Sequence, residues 1–228
     1  MALYTIGDLH LSLYKEKPMD IFGDNWRNHT EKLRAAFSRL QDDDLTVLCG
    51  DLSWGMNLEE TAPDFRFVDA LPGKKLILKG NHDYWWTTAA KTKRFFEQQG
   101  ITTIDILHNN AFIVGDYALC GTRGWFYEEE RGGEHDAKIM HREIMRLEAS
   151  LKAAGERIKL VFLHYPPIYG NYRCEEILSL LKEHRVPLCY YGHIHGKGCA
   201  GAFNGWHDHT RHICVSGDKL DFKPCKIL

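Results

Sequence analysis

Five short words in this 228-residue chain carry the residue types of a metal site: GDLH at 7–10, GDLSW at 50–54, GNHDYWW at 80–86, LHYPP at 163–167 and GHIH at 192–195. Together they offer Asp8, His10, Asp51, Asn81, His82, His164, His193 and His195. Histidine is the commonest metal ligand among side chains, and the chain holds thirteen. In Asp8-Leu9-His10 and His193-Ile194-His195 the polar residues are two apart, so on extended backbone both would project to one face and grip one site. Leaving His82 aside, the remaining donors exceed the roughly three protein ligands of a catalytic ion that keeps a position open. Two ions sharing a ligand fit better, and Asp51, with two carboxylate oxygens, is the natural bridge. Paired metals about 3.5–4 Å apart stabilise both the attacking and the leaving oxygen of an in-line displacement, the usual form of phosphoester hydrolysis.

Each word ends an apolar run: LYTI, LTVLC, KKLILK, IKLVFL and VPLCYY. Runs of this length without polar alternation predict strands buried on both faces. Between them, Trp26, Leu33, Phe37 and Leu40 share one helical face, as do Met140, Ile144, Leu147 and Leu151. Strands alternating with helices predict an α/β fold with a largely parallel sheet, whose ligands bind outside the carboxyl ends of the strands. All five words fall at that end. Beyond Gly196 the chain turns to glycine, histidine and short β-like pieces, HICVSGDKL and FKPCKIL, which read as added strands of a single domain over 1–228. Residues 125–136, WFYEEERGGEHD, read as a solvated loop or as a lid. The cluster HDHTRH, with His207, His209 and His212, reads as a solvated loop and is assigned no metal.

Composition narrows the classes. A net charge of -2 gives no general signal for binding polyanions, so a nucleic-acid partner is not expected. Seven cysteines without a CxxC pair argue for reduced, packed thiols rather than disulfides or a zinc finger. No run reaches the ~18 apolar residues of a membrane span, and the chain enters a strand directly, so a cytoplasmic location without a membrane partner is expected. Neither GxGxxG after the first strand nor a P-loop is present, which disfavours dinucleotide and nucleoside-triphosphate chemistry.

In their order, the words GDLH, GDLSW, GNHDYWW, LHYPP and GHIH resemble the D-x-H, GD, GNH[DE], H and GHxH blocks of the calcineurin-like metallophosphoesterases. The ending SGDKLDFKPCKIL is similar to the closing strands of that fold. The resemblance implies a four-layer αββα sandwich. It also implies that Asp8, His10 and His195 hold one metal, that Asn81, His164 and His193 hold the other, and that Asp51 bridges them. A metal-activated water would be the nucleophile, His82 the general acid, and Asp83 the group that orients His82. The mixed nitrogen and oxygen donors suit manganese, iron, zinc, cobalt or nickel, with manganese the first choice. Arg123 could clamp a phosphate or form a surface salt bridge. Tyr84, Trp85 and Trp86 could start the next helix and pack into the core, or Tyr84 could line the mouth of the site and favour a nucleotide-like ester. The expected activity is hydrolysis of a small phosphomonoester or phosphodiester. The alternatives are a non-catalytic binding or scaffold module on the same fold, and a nuclease.

Overall fold

The computed structural model describes residues 1–15, 17–126 and 133–228. Four parallel strands, β1 (Leu3–Ile6), β2 (Leu45–Leu48), β3 (Lys74–Ile77) and β4 (Ile104–Ile106), run side by side in chain order. A second sheet is built from β5 (Ala111–Val114), β6 (Tyr117–Thr122), β7 (Ile158–Leu163), β10 (Leu188–Tyr191), β11 (Gly205–His207) and β12 (Thr210–Cys214), in the order β11-β12-β10-β7-β6-β5. Its central strands β6, β7, β10 and β12 are parallel, and both edges are antiparallel. A small hairpin, β8 (Ile168–Tyr169) and β9 (Tyr172–Arg173), lies between β7 and β10 in sequence, and β13 (Cys225–Lys226) returns to pair with β1. The tail therefore supplies strands to both sheets, while the one largely parallel sheet expected from the βαβ rhythm is in fact two.

Strand parity explains the continuous apolar runs. Leu3, Val47, Leu76, Leu119, Leu160, Phe162 and Tyr190 meet in one buried layer between the sheets. Residues of the opposite parity on the first sheet, Ile6, Leu48 and Ile77, face outward onto Leu33 and Phe37 of α1 (His29–Phe37), Phe65 and Val68 of α2 (Leu58–Ala70), and Phe95 and Phe96 of α3 (Ala89–Gln99). Ala118, Cys120, Val161, Cys189 and Tyr191 of the second sheet pack on Met140, Leu147 and Leu151 of α4 (Glu134–Ala153) and on Ile177 and Leu181 of α5 (Glu175–Glu183). Helices, sheet, sheet, helices is the four-layer order. A strand in such a sandwich buries both faces, so hydrophobic burial at about 25 cal/mol per Å² acts on every residue of it.

The two sheets meet at the carboxyl ends of their strands. Gly7, after β1, pairs with Ser216, after β12, and Gly7 N–H donates to Val215 O at 2.8 Å. A Cβ at Gly7 would lie 3.2 Å from Cys49 Cβ and 3.4 Å from Gly192 Cα, so only a residue without a side chain lets three strand ends converge there.

Two sequence expectations change here. The hairpin β11-β12 replaces the solvated loop expected for HDHTRH, and His212 is fully buried in β12. The aromatics at 84–86 do not begin a helix, since α3 starts at Ala89 behind the Thr88 N-cap. Trp85 is buried against Phe65, Trp86 packs at the edge of the same core, and Tyr84 is exposed. Of residues 125–136, 127–132 lie outside the described residues.

Candidate metal centre

The first sheet supplies Asp8 and His10 beyond β1, Asp51 beyond β2, and Asn81, His82 and Asp83 beyond β3. From the second come His164 beyond β7, and His193 and His195 beyond β10. Asp8, His10, Asp51 and His193 take left-handed backbone angles, with φ of 59°, 44°, 52° and 73°. The extended backbone expected for Asp-x-His and His-x-His is thus absent. The chain turns left-handed at these ligands, and the intervening Leu9 and Ile194 are still buried. Such conformations cost about 1–3 kcal/mol each and persist where surrounding structure over-determines them.

Two donor groups result. Asp8, His10 and His195 form one, with His10 Nε2 3.2 Å from His195 Nε2 and His195 Nε2 3.3 Å from Asp8 Oδ1. Asp8, Asp51 and His164 form another. Beside it Asn81 Oδ1 lies 2.6 Å from His164 Nε2 and 2.9 Å from His193 Nδ1. Asp8 is common to both groups, and Asp51 reaches from the second towards His10 of the first. Its Oδ1 accepts from His82 N–H at 2.8 Å, while Oδ2 is buried without a hydrogen-bond partner, 3.6 Å from His10 Nε2 and 3.5 Å from His164 Nε2. A buried, unpartnered carboxylate oxygen is expensive unless a cation or donor meets it.

The hydrogen bonds also set the imidazole tautomers for a cation. His164 Nδ1 faces Cys49 O at 3.0 Å, and only a protonated Nδ1 can bond a carbonyl, which turns the Nε2 lone pair into the cluster. Likewise His195 Nδ1 meets Asp218 Oδ1 at 3.1 Å. Asp218 also accepts from Gly196 N–H at 2.7 Å. Sequence reasoning missed this residue, although VSGD at 215–218 is another Gly-Asp pair behind an apolar strand end.

Electrostatics agree with a site shaped for positive charge. Burial opposes ionisation of Asp8, but His195, His164 and His10 around it hold its carboxyl well below the usual range. Burial, and then the Asp8 charge, push Asp51 up to about 8. Burial works against a proton on His195, yet Asp8 and Asp218 raise it to about 10. Burial lowers His10 and His164, and lowers His193 to about 3, so these rings are neutral ligands at pH 7. The donor set, the orphaned Asp51 oxygen and the fixed tautomers all fit a pair of metal ions.

His82 lies at the edge of this cluster, 4.6 Å ring to ring from Trp54, with Nδ1 3.3 Å from Tyr84 Oη. Burial, and then the charges of His164 and Lys17, lower it to about 4. If Tyr84 O–H donates to Nδ1, the proton of the neutral ring is on Nε2. Asp83 does not touch His82. Its Oδ2 accepts from Asp51 N–H at 2.9 Å and Gly80 N–H at 2.7 Å, and its Oδ1 from Leu52 N–H at 2.9 Å, Ser53 N–H at 3.4 Å and Trp85 Nε1–H at 3.0 Å. The expected orienter of His82 is instead a buried brace between the Asp51 and Asn81 loops. Arg123 is also placed differently from the surface position considered for it. Its guanidinium lies 3.5 Å from the buried Glu143 carboxylate and 4.7 Å from the Trp125 ring centroid. Its carbonyl accepts from His164 N–H at 3.1 Å.

Among the described residues no cysteine thiol joins the candidate ligand groups. Burial pushes Cys49 up to about 12 and Cys120 to about 11, far from a thiolate at neutral pH. Among the described residues no helix is long and apolar enough to cross a membrane.

Comparison with solved structures shows the same fold elsewhere. Phosphopantetheinyl hydrolase (PptH) from Mycobacterium tuberculosis is similar with a TM-score of 0.59 and 13% identity, over 100% of this chain and 95% of that one. A protein of unknown function from Aquifex aeolicus, AQ665, gives 0.54 and 17% over 99% and 95%. TT1561 of Thermus thermophilus gives 0.56 and 16% over 86% and 82%. Identities this low show the fold alone. No curated protein matches the chain. The sequence profile of the calcineurin-like phosphoesterases matches residues 1–197, which span every candidate ligand, and the chain belongs to that family.

Proposed function

We propose that this chain is a dinuclear metallophosphoesterase that hydrolyses a small phosphomonoester or phosphodiester. The observation that carries the reading is Asp51 Oδ2, buried, unpartnered, and about equally far from the nearest imidazole nitrogen of each donor group. Asp8, His10 and His195 would hold one ion, Asn81, His164 and His193 the other, and Asp51 both. Ions bound there would activate a water and offset charge on the phosphoryl oxygens.

The chain's own residues do the rest. The backbone N–H of His193 holds the Asp8 carboxylate at 2.9 and 3.0 Å, and Asp218 and Cys49 O fix the rings of His195 and His164. His82, kept neutral in the free protein, presents Nε2–H to a phosphoryl or leaving oxygen. A bound phosphoryl dianion favours the imidazolium, opposing the burial that disfavours it, and so prepares the ring to give up a proton.

The test uses chelator-stripped protein reloaded with manganese, zinc, iron(II), cobalt or nickel, assayed on p-nitrophenyl phosphate, bis(p-nitrophenyl) phosphate and a phosphopantetheinyl ester. Metal-dependent turnover is expected, and His82→Ala should lower kcat about 10²–10⁴-fold with metal content retained. Protein that binds two ions and turns over no ester would sink the proposal.

A further inference from the structure

Beyond Trp54, whose indole packs on His82, lies a cavity of about 390 Å³ lined among others by Ser12, Tyr14, Lys15, Lys17, Trp54 and Met56. Trp54 joins the two regions. Its indole stacks on His10 at 4.9 Å, leans on His82 at 4.6 Å, and carries Lys17 Nζ 3.0 Å from its ring centroid. Two carboxylates also line the cavity, and both are engaged. Asp64 accepts from Leu13 N–H at 2.7 Å and Ser53 O–H at 2.5 Å, and Glu60 accepts from Met56 N–H at 2.9 Å and Asn57 Nδ2 at 3.2 Å. Neither reaches an ammonium, and Lys15 and Lys17 form no ion pair among the described residues. Among the described residues the Lys17 ammonium thus has an aromatic face and no carboxylate partner. Beside these charged groups stand two exposed apolar side chains, Tyr14 at 56% and Met56 at 61% exposure.

The direction of the reaction decides what belongs there. In hydrolysis a water oxygen forms one P–O bond. The P–O bond to the alcohol breaks, and its electron pair stays on the leaving oxygen, which takes a proton from His82. The leaving group must therefore lie on the His82 side, where Trp54, Lys17 and the cavity are. We propose that this cavity is a leaving-group subsite, and that Lys17, held over the Trp54 ring, selects an alcohol bearing a second negative charge, a carboxylate or another phosphate. The subsite rests on the phosphoesterase reading, since it takes its orientation from His82. Cation–π contact fixes the ammonium at the rim without neutralising it, so it stays available for a charge-assisted bond. The apolar side chains of Tyr14 and Met56 suit the body of the alcohol.

The test compares 4-carboxyphenyl phosphate, 1,4-phenylene bisphosphate and the near-isosteric neutral 4-carbamoylphenyl phosphate on the metal-loaded full chain. Higher kcat/KM for the charged esters is expected, with the carboxylate and bisphosphate arms telling the two anions apart. Lys17→Met should cut that preference about ten-fold or more, and Lys17→Arg should restore most of it. Calorimetric titration with 4-hydroxybenzoate reads the subsite without turnover: wild type binds, Lys17→Met binds at least ten-fold more weakly. Equal preference in wild type and Lys17→Met would overturn the subsite while leaving phosphoester hydrolysis intact. If no ester turns over, the activity reading fails, and the titration alone decides whether Lys17 holds an anion.

Discussion

Replacing Asp83 with asparagine exchanges one oxygen for an amino group at a point where five N–H donors converge. If the new Nδ2 takes the place of Oδ2, it confronts Asp51 N–H and Gly80 N–H; in place of Oδ1 it confronts Leu52 N–H, Ser53 N–H and Trp85 Nε1–H. Either way at least two buried donors lose their acceptor. At about 1–3 kcal/mol for each unsatisfied group, Asp83→Asn should cost about 2–6 kcal/mol. That is a large share of the ~5–15 kcal/mol that holds a typical domain together. Urea unfolding should show a lower midpoint with an unchanged slope. Metal affinity should fall about 10–100-fold as well, because the braced loops carry Asp51 and Asn81. An unfolding midpoint that places stability within ~0.5 kcal/mol of wild type, with only kcat reduced, would refute the brace and return Asp83 to the role of orienting His82.

Other perturbations read other parts of the structure. His212 is fully buried in β12, with neither ring nitrogen hydrogen-bonded, and burial, with His207 and Arg173 nearby, lowers it to about 4. The unfolded chain, with histidine near 6.5, binds the proton first, so stability is intact above pH 6.5 and is lost as pH falls towards 4, by up to about 3 kcal/mol. Chemical unfolding between pH 7 and 4 should show His212→Phe losing less stability than wild type, and parallel curves would count against this. A Cβ at Gly80 would overlap Asp51 Oδ1 and N, so Gly80→Ala must displace the bridging residue. Its metal affinity, measured by competition with a chelating dye, should drop at least ten-fold, and an affinity equal to wild type would count against the clash.

The ligand words were legible because metal chemistry restricts residue type, and each word follows an apolar strand whose end is marked by glycine or a polar residue. Parity could not say that those strands form two sheets. A strand covered by a sheet on one face and helices on the other is as uniformly apolar as one covered by helices on both. Roles set by tertiary hydrogen bonds were hidden for a similar reason. Asp83 follows the acid candidate directly, and nothing local shows that its carboxylate turns towards the backbone of residues 51–53. Asp218 carried the same Gly-Asp signature as Asp8 and Asp51, yet it lies in HICVSGDKL, which read only as an added strand. In HDHTRH the polar residues concealed a hairpin, because the buried positions of β12 are filled by Thr210 and His212, residue types that read as solvated. Trp54 ended a recognised word but drew no reading, since an indole after a ligand loop is usually core.

The most direct test of the account is the metal content of the purified, reconstituted protein beside Asp51→Asn, measured by plasma emission spectrometry after removal of free ions. A pair of donor groups bridged by Asp51 predicts two ions per chain in wild type and one or none in Asp51→Asn, with ester hydrolysis lost together with the second ion. Two ions retained in Asp51→Asn, or none bound by wild type, would contradict it.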